Sequence, residues 1–349
     1  MNAMKRHNTR RTTSALLATL ALAVAGLTAC GSDSESASPG GSSITIAEQS
    51  VAGMTTGLWP HLAEELGYLE DEDITVKEYI SVTKGSDAIS GMQSGAVQIS
   101  HIGVEGISAV SKGADVVGLA AQMDASIWTV IANPDITSWD QLKGKTIALG
   151  STSDITTVIF DRLAEAAGLD PAKDLTYVAL GATPDRIAAV QNGQAAATIA
   201  TYPPVETVIA SGAVNDLGFA PEGSEVPRIM TTDIEASRSW AEDNPEVASG
   251  YLRAMIRTTE WVKDETNREE AVRIISELSE NPPEAVLAGL ETYFYDPVVE
   301  DAYFPENYRH DPAVFDDTVA AYMDLGILSE PVSEEDYMDY SYLEQAQED

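Results

Sequence analysis

The stretch "LAEELG" at residues 62–67 returns as "LAEAAG" at residues 163–168, 101 positions further on. Alone, such a match says little, because Leu, Ala and Glu are common helix formers and Gly is a common helix stop. Its neighbours, however, recur in the same order. "TIA" opens a short apolar run at 45–47 and again at 146–148, with the same offset of 101. After each run come a loop rich in Ser, Thr and Gly and an amphipathic helix carrying the repeated ending. "ITVKEY" (74–79) and "LTYVAL" (175–180) read as strands, again 101 apart. "DAISGMQSG" (87–95) and "DRIAAVQNG" (185–193) share Asp, Ile, Gln and Gly at an offset of 98. "AVQIS" (96–100) and "AAATIA" (195–200) close the two copies as third strands.

Each copy is β-α-β-α-β. Strands that alternate with helices pair in parallel through right-handed crossovers, so the expected fold is α/β with two related lobes. Within the connection 116–145, "IWTVIA" (127–132) reads as a strand carrying the chain into the second lobe, and "SWDQLKGK" as a short helix and turn. "VPRIMTTDI" (226–234) reads as the returning strand. These two crossover strands place lobe one at 44–128 and 232–349, and lobe two at 129–231. The region after the return is helical: "NPEVASGYLRAMIRTTEWVKD" opens on an Asn-Pro start signal, and 267–279, 282–292 and 312–325 keep helical periodicity. The closing "SEEDYMDYSYLEQAQED" is expected to be an acidic, solvated helix or tail.

The N-terminus carries a targeting pattern. Basic "KRHNTRR" precedes the apolar run "ALLATLALAVAGL", too short for a comfortable membrane span and of the length of a signal h-region. "LTAC" then ends at Cys30, the one cysteine of the chain. Small residues before a cysteine resemble the lipobox of bacterial lipoproteins. That likeness implies a signal peptide over 1–29 and acyl chains, palmitate among them, on Cys30. "GSDSESASPGGSS" (31–43) then makes 30–43 a flexible tether. With no further cysteine, there is no disulfide framework.

The 349 residues suffice for two lobes with real cores. Acidic residues number 56 against 20 basic ones, and Lys5, Arg6, Arg10 and Arg11 of the leader are among the 20. Such a surface repels phosphate backbones, which argues against nucleic-acid binding.

"SWDQLKGKTIALGSTSD" followed by "LAEAAGLDPAKDLTYVALGATPDRIAAVQNGQAAATIATYPP" resembles the second lobe of the SsuA/THI5-like (nitrate, sulfonate, taurine) family of ABC-transporter solute-binding proteins. The likeness spans roughly residues 44–265; it departs at Asp140-Gln141-Leu142, where the family joins acid and Leu directly. It implies a periplasmic-binding-protein-like fold with two crossovers and a helical C-terminal region. It further implies a monomer, lipid-anchored on the outer face of the cell membrane, that captures a small solute between its lobes. The solute passes to the transmembrane subunits of a permease driven by an ATPase. The alternatives are a ligand-sensing lipoprotein that signals to a membrane partner, and an enzyme like the fungal pyrimidine-forming relatives. Those relatives use a cysteine-rich segment that this chain lacks.

In open parallel sheets, ligands bind beyond the carboxyl ends of the strands, where free N–H groups of helix starts converge. The repeat therefore names the candidates. In lobe one they are Glu48, Gln49 and Ser50; Gly85 and Ser86 beside Lys84; and His101 to Glu105. In lobe two they are Ser151, Thr152 and Ser153 beside Asp154; Thr183, read as an N-cap before Pro184; and Thr201 with Tyr202. Gln122, Met123 and Asp124 stand just before the crossover, and Trp59, Trp128 and Tyr202 are available as aromatic walls. Each Ser, Thr or Asp is equally a capping residue. These loops hold no arginine; Lys84 is the one strong cation among them, while Glu48, Glu105, Asp124 and Asp154 are acids. A bare inorganic anion favours guanidinium or several clean N–H donors, so an organic solute with nitrogen donors or an aromatic ring fits better. His101 and Glu105 are too few to hold a metal. The chain has no Gly-x-Ser-x-Gly motif and no phosphate loop, and its single cysteine is Cys30. The expectation is a binding protein without catalytic residues, metal or cofactor.

Overall fold

The computed structural model describes residues 42–49, 51–54, 57–82, 84–102, 105–151, 154–300 and 302–348. They belong to one compact unit, Gly41–Asp349. The leader, Cys30, most of the tether, Ser50, Thr152 and Ser153 lie outside the described residues.

The repeated ending has a local cause. In both copies the final Gly takes a left-handed conformation, φ 78° at Gly67 and 79° at Gly168, which side chains other than Gly rarely adopt. Both helix ends close with the same bonds: Leu66 N–H and Ala167 N–H reach the carbonyls of Leu62 and Leu163, and Gly67 N–H and Gly168 N–H reach those of Glu64 and Glu165.

Ten strands form two sheets among the described residues: β1 (Ser42–Glu48), β2 (Ile74–Ser81), β3 (Ile99–Ile102), β4 (Val117–Ala125), β5 (Thr129–Ala132), β6 (Lys145–Leu149), β7 (Leu175–Ala179), β8 (Ala197–Ala200), β9 (Asn215–Asp216) and β10 (Arg228–Ala236). β1 begins two residues inside the stretch read as tether. The sheets have matching orders, β2-β1-β3-β10-β4 and β7-β6-β8-β5-β9. The first three strands of each are parallel, and the fourth, β10 or β5, is antiparallel to its neighbours. Register repeats with sequence: Ile46 pairs with Ile99 and Ala47 with Ser100, while Ile147 pairs with Ala197 and Ala148 with Thr198. These are the same 101 and 98 offsets. The molecule thus has two related α/β lobes.

The chain leaves the first sheet at Ala125 and enters the second at Thr129; it returns from Asp216 to begin β10 at Arg228. The two crossings run side by side, with Ser126 N–H donating to Pro227 O at 2.9 Å. Tyr293 ties one crossing to the end of β8: its hydroxyl donates to Ile127 O and accepts from Tyr202 N–H, each at 2.9 Å.

Two features depart from the sequence reading. Val117–Ala125 is a full strand, buried along its whole length; its Gln122 and Asp124 interrupt the apolar run and hide it. The acidic C-terminus is not a solvated tail. It forms helices at Glu334–Tyr337 and Ser341–Glu348 that bury Tyr337, Tyr342, Leu343 and Ala346 against lobe one. Tyr337 supplies apolar area together with a hydroxyl that reaches the buried carboxylates of Asp233 and Glu235.

Candidate functional site

The carboxyl edges of the two sheets carry the candidates. In lobe one the helix Gly85–Gln93 starts beyond β2 and the helix Glu105–Val110 beyond β3. The Glu105 side chain folds over the first of these starts: a Cβ at Gly85 would stand 2.5 Å from Glu105 Cδ, so only glycine leaves room. Burial raises the Glu105 pKa and the nearby Asp154 charge adds to it, while the Glu105 and Gly85 N–H groups pull the other way.

Lobe two also sets a carboxylate against an edge glycine, here with both residues beyond β6. Asp154 caps the helix Ile155–Ala166, its Oδ1 accepting from Thr156 N–H at 3.0 Å and Thr157 N–H at 3.4 Å. A Cβ at Gly150 would stand 2.5 Å from Asp154 Oδ2 and 3.1 Å from Arg186 Nη1. The Gly150-Ser151 turn is braced from behind: Gly150 N–H donates to Thr156 Oγ1 at 3.0 Å, and Thr157 Oγ1 donates to Ser151 O at 2.9 Å.

Arg186 corrects the expectation that no arginine serves this edge. It stands in the first turn of the helix Thr183–Gln191, and its buried Nη2 donates to Thr183 Oγ1 at 2.8 Å and Ile199 O at 3.3 Å. Burial lowers its pKa and Asp154 opposes that. The signal was in the sequence, three residues after Thr183, on a helix start rather than in a loop. Thr183 is accordingly not the N-cap. Ala182 is, because its carbonyl accepts from Asp185 and Arg186 N–H, and the Thr183 hydroxyl is taken by the guanidinium.

Glu105, Gly85, Ser151, Asp154 and Arg186 therefore stand at the carboxyl edges of the two sheets. Ser86 is exposed at its helix start and Gln49 is half-buried beyond β1. Three other candidates have their polar atoms committed inside lobe one. Glu48 meets His61 Nε2 at 2.9 Å. His101 is fully buried, with Nδ1 2.9 Å from Gln122 Oε1 and Nε2 2.6 Å from the Tyr251 hydroxyl; burial lowers its pKa to about 4. Asp124 pairs with His310 and accepts from Asp311 N–H. Tyr202 is nearly buried, stacked on Phe219 with ring centroids 6.2 Å apart. Trp59 is fully enclosed among Phe294, Tyr303 and Phe304 and is no cleft wall.

Sequence reasoning also missed Tyr322. It lies on the helix Pro312–Asp324, in an apolar cluster with Ile107 of lobe one and Ile155 of lobe two. Its ring is 2% exposed and its hydroxyl has no hydrogen-bond partner among the described residues; burial raises its pKa, the Glu105 and Asp154 charges add to that, and Arg162 opposes it.

Comparison with known proteins agrees with this architecture. The family profile described as NMT1/THI5 like matches residues 60–268. The protein YtlA of Bacillus subtilis (strain 168) is 23% identical over 244 residues, 67% of this chain and 70% of its own. The periplasmic aliphatic sulphonate binding protein SsuA from Escherichia coli superposes with a TM-score of 0.64 at 18% identity, over 86% of this chain and 92% of its own. The periplasmic nitrate-binding protein NrtA from Synechocystis PCC 6803 gives 0.69 at 13% identity, over 88% and 89%.

Proposed function

The chain belongs to the NMT1/THI5-like family, and from that premise we propose that it is the solute-binding component of an ABC importer. It captures a small organic solute, of the sulfonate, taurine, nitrate or pyrimidine class, between its lobes and hands it to a permease. It works by capture and not by catalysis. One observation carries the reading: Glu105 of lobe one folds against Gly85, Asp154 of lobe two against Gly150, and their chain neighbours Ile107 and Ile155 pack in one apolar cluster between the lobes. Polar groups from both lobes so converge at the sheet edges where α/β proteins bind ligands.

The test is a thermal-shift screen of the unit Gly41–Asp349 against sulfonates, nitrate, amino acids, pyrimidines and polyamines. A solute bound only by the folded form adds about 2.7 kcal/mol of stability at one hundred times its Kd. A melting temperature unmoved by every class would reject the reading.

The protein is held to the outer face of the cell membrane by acyl chains on Cys30. The support is "LTAC" directly after a signal-like apolar run. Cys30→Ser is expected to shift the protein from the membrane fraction to the soluble fraction or to leave it unprocessed. Membrane attachment equal to the unmodified chain would refute the anchor. More than one acyl chain is needed for stable attachment.

A further inference from the structure

The return strand β10 carries two carboxyl groups on one face. Asp233 and Glu235 are two residues apart, so their side chains leave the same side of the sheet, and both are fully buried. The Tyr337 hydroxyl lies between them, 2.9 Å from Asp233 Oδ2 and 2.5 Å from Glu235 Oε1. A phenol has one proton and donates it to one of these oxygens only. The other contact needs a proton from the carboxyl side, because two unshared lone pairs pressed together in a dry interior are costly.

The neighbours decide which carboxyl carries it. Asp233 has a cation: His310 Nε2 lies 2.9 Å from its Oδ1, and the other ring nitrogen meets Asp124. The Nε2 contact is an ion pair by distance, its angle falling short of a hydrogen bond. Glu235 has no such partner. β3 brings it Ser100, whose Oγ lies 3.2 Å from Oε2, and β4 brings Gly118. The helix 105–110 closes over it so tightly that a Cβ at Gly106 would stand 1.7 Å from Oε1. The charged groups that face it are Asp233 on its own strand and Glu105 on that helix, both acids. Among the described residues no Lys, Arg or His pairs with it. Burial drives its pKa well above the usual carboxylate value; Asp233 and Glu105 add to the rise, and the Tyr337 and Ser100 contacts oppose it.

The groups that meet these two carboxyls from outside the sheet belong to one stretch of chain. His310 opens it and Tyr337 closes it, and between them Thr318 Oγ1 accepts from Met230 N–H of β10 at 3.0 Å. We propose that Glu235 is kept as a neutral carboxylic acid that donates to the Tyr337 oxygen while Tyr337 donates to Asp233, and that this proton latches the stretch 310–337 onto β10. Loss of the proton sets two anionic carboxylates against one phenol proton and frees the Tyr337 end. The His310 end stays paired.

Infrared difference spectra of the protein test the proton. At neutral pH, parent minus Glu235→Gln is expected to show the carbonyl stretch of a protonated carboxylic acid. Gln presents an N–H to Tyr337 where the acid presents its O–H, so this variant keeps the contacts. The latch is read by hydrogen exchange at Asp339, whose N–H donates to Gly118 O of β4 at 2.9 Å, two residues beyond Tyr337. A carboxyl with a raised folded pKa contributes its full stability below its ordinary value of 4.5 and loses it as pH rises toward the folded value. Between about pH 5 and 6.5, below the range in which the His310 contribution falls, Asp339 protection should drop about tenfold per pH unit more in the parent than in Glu235→Gln. A difference spectrum without the acid band, or protection that changes alike in the two proteins, overturns the proposal. If Glu235→Gln does not fold, Tyr337→Phe answers instead: the acid band is expected to move to higher frequency once its acceptor is gone, and an absent or unmoved band overturns the proposal equally.

Discussion

Replacing His310 with alanine is expected to lower the unfolding free energy by about 3–5 kcal/mol, the usual cost of removing one partner from a buried ion pair. His310 is enclosed in lobe one between two carboxylates. Its Nδ1 meets Asp124 of β4, and its Nε2 lies 2.9 Å from Asp233 of β10. Burial alone would lower the histidine pKa, but the Asp233 and Asp124 carboxylates outweigh it and raise the value to about 10. The substitution would leave both carboxylates buried without a cation. The sign of the pH dependence follows. A group whose folded pKa exceeds its unfolded value of about 6.5 contributes its full stability below that value. The contribution is lost as pH rises through about 10. Urea unfolding across this range should show stability falling with pH in the parent and a flatter profile in His310→Ala. An unchanged midpoint, or the same slope in both, would contradict the pairing.

Trp59→Ala should cost about 3–5 kcal/mol as well, the range for deleting a large buried aromatic. Trp59 is fully buried on the helix Leu58–Glu65, edge-on to Phe294, Tyr303 and Phe304 with centroids 5.5, 6.2 and 5.3 Å away. It joins the first helix of lobe one to the segment 294–304, far along the chain. A role as a cleft wall predicts the opposite pattern, with affinity lost and melting kept. Unfolding by denaturant, read alongside solute affinity, separates the two. A loss of less than about 1 kcal/mol with a large fall in affinity would make Trp59 a ligand contact.

The repeat was legible because its punctuation is physical. Gly67 and Gly168 both need a left-handed backbone, and the strands after them pair in equivalent registers. From those positions the sheet edges, and with them Glu105, Ser151 and Asp154, could be read directly. What stayed hidden depends on pairs far apart in sequence. Asp124 and His310 are 186 residues apart, so β4 looks like a broken apolar run until its partner is known. The Tyr337 hydroxyl lies 2.9 Å from an Asp233 carboxylate oxygen and 2.5 Å from one of Glu235, both on β10. Nothing in the acidic tail announces those partners, and charge alone suggested solvent. Arg186 was visible as a residue, but its aim toward Gly150 comes from the helix geometry. Tyr322 belongs to a helix outside the repeat, so no offset pointed to it.

Paired crossings at 126–128 and 217–227 would act as the hinge if a solute closes the lobes. The most direct measurement is small-angle X-ray scattering of the unit Gly41–Asp349, free and saturated with a solute that raises its melting temperature. The account predicts a smaller radius of gyration at saturation, with the helical content by circular dichroism unchanged, as expected of a rigid rotation of the lobes. Scattering that is identical in the two states, with binding verified by calorimetry in the same sample, would contradict capture by lobe closure.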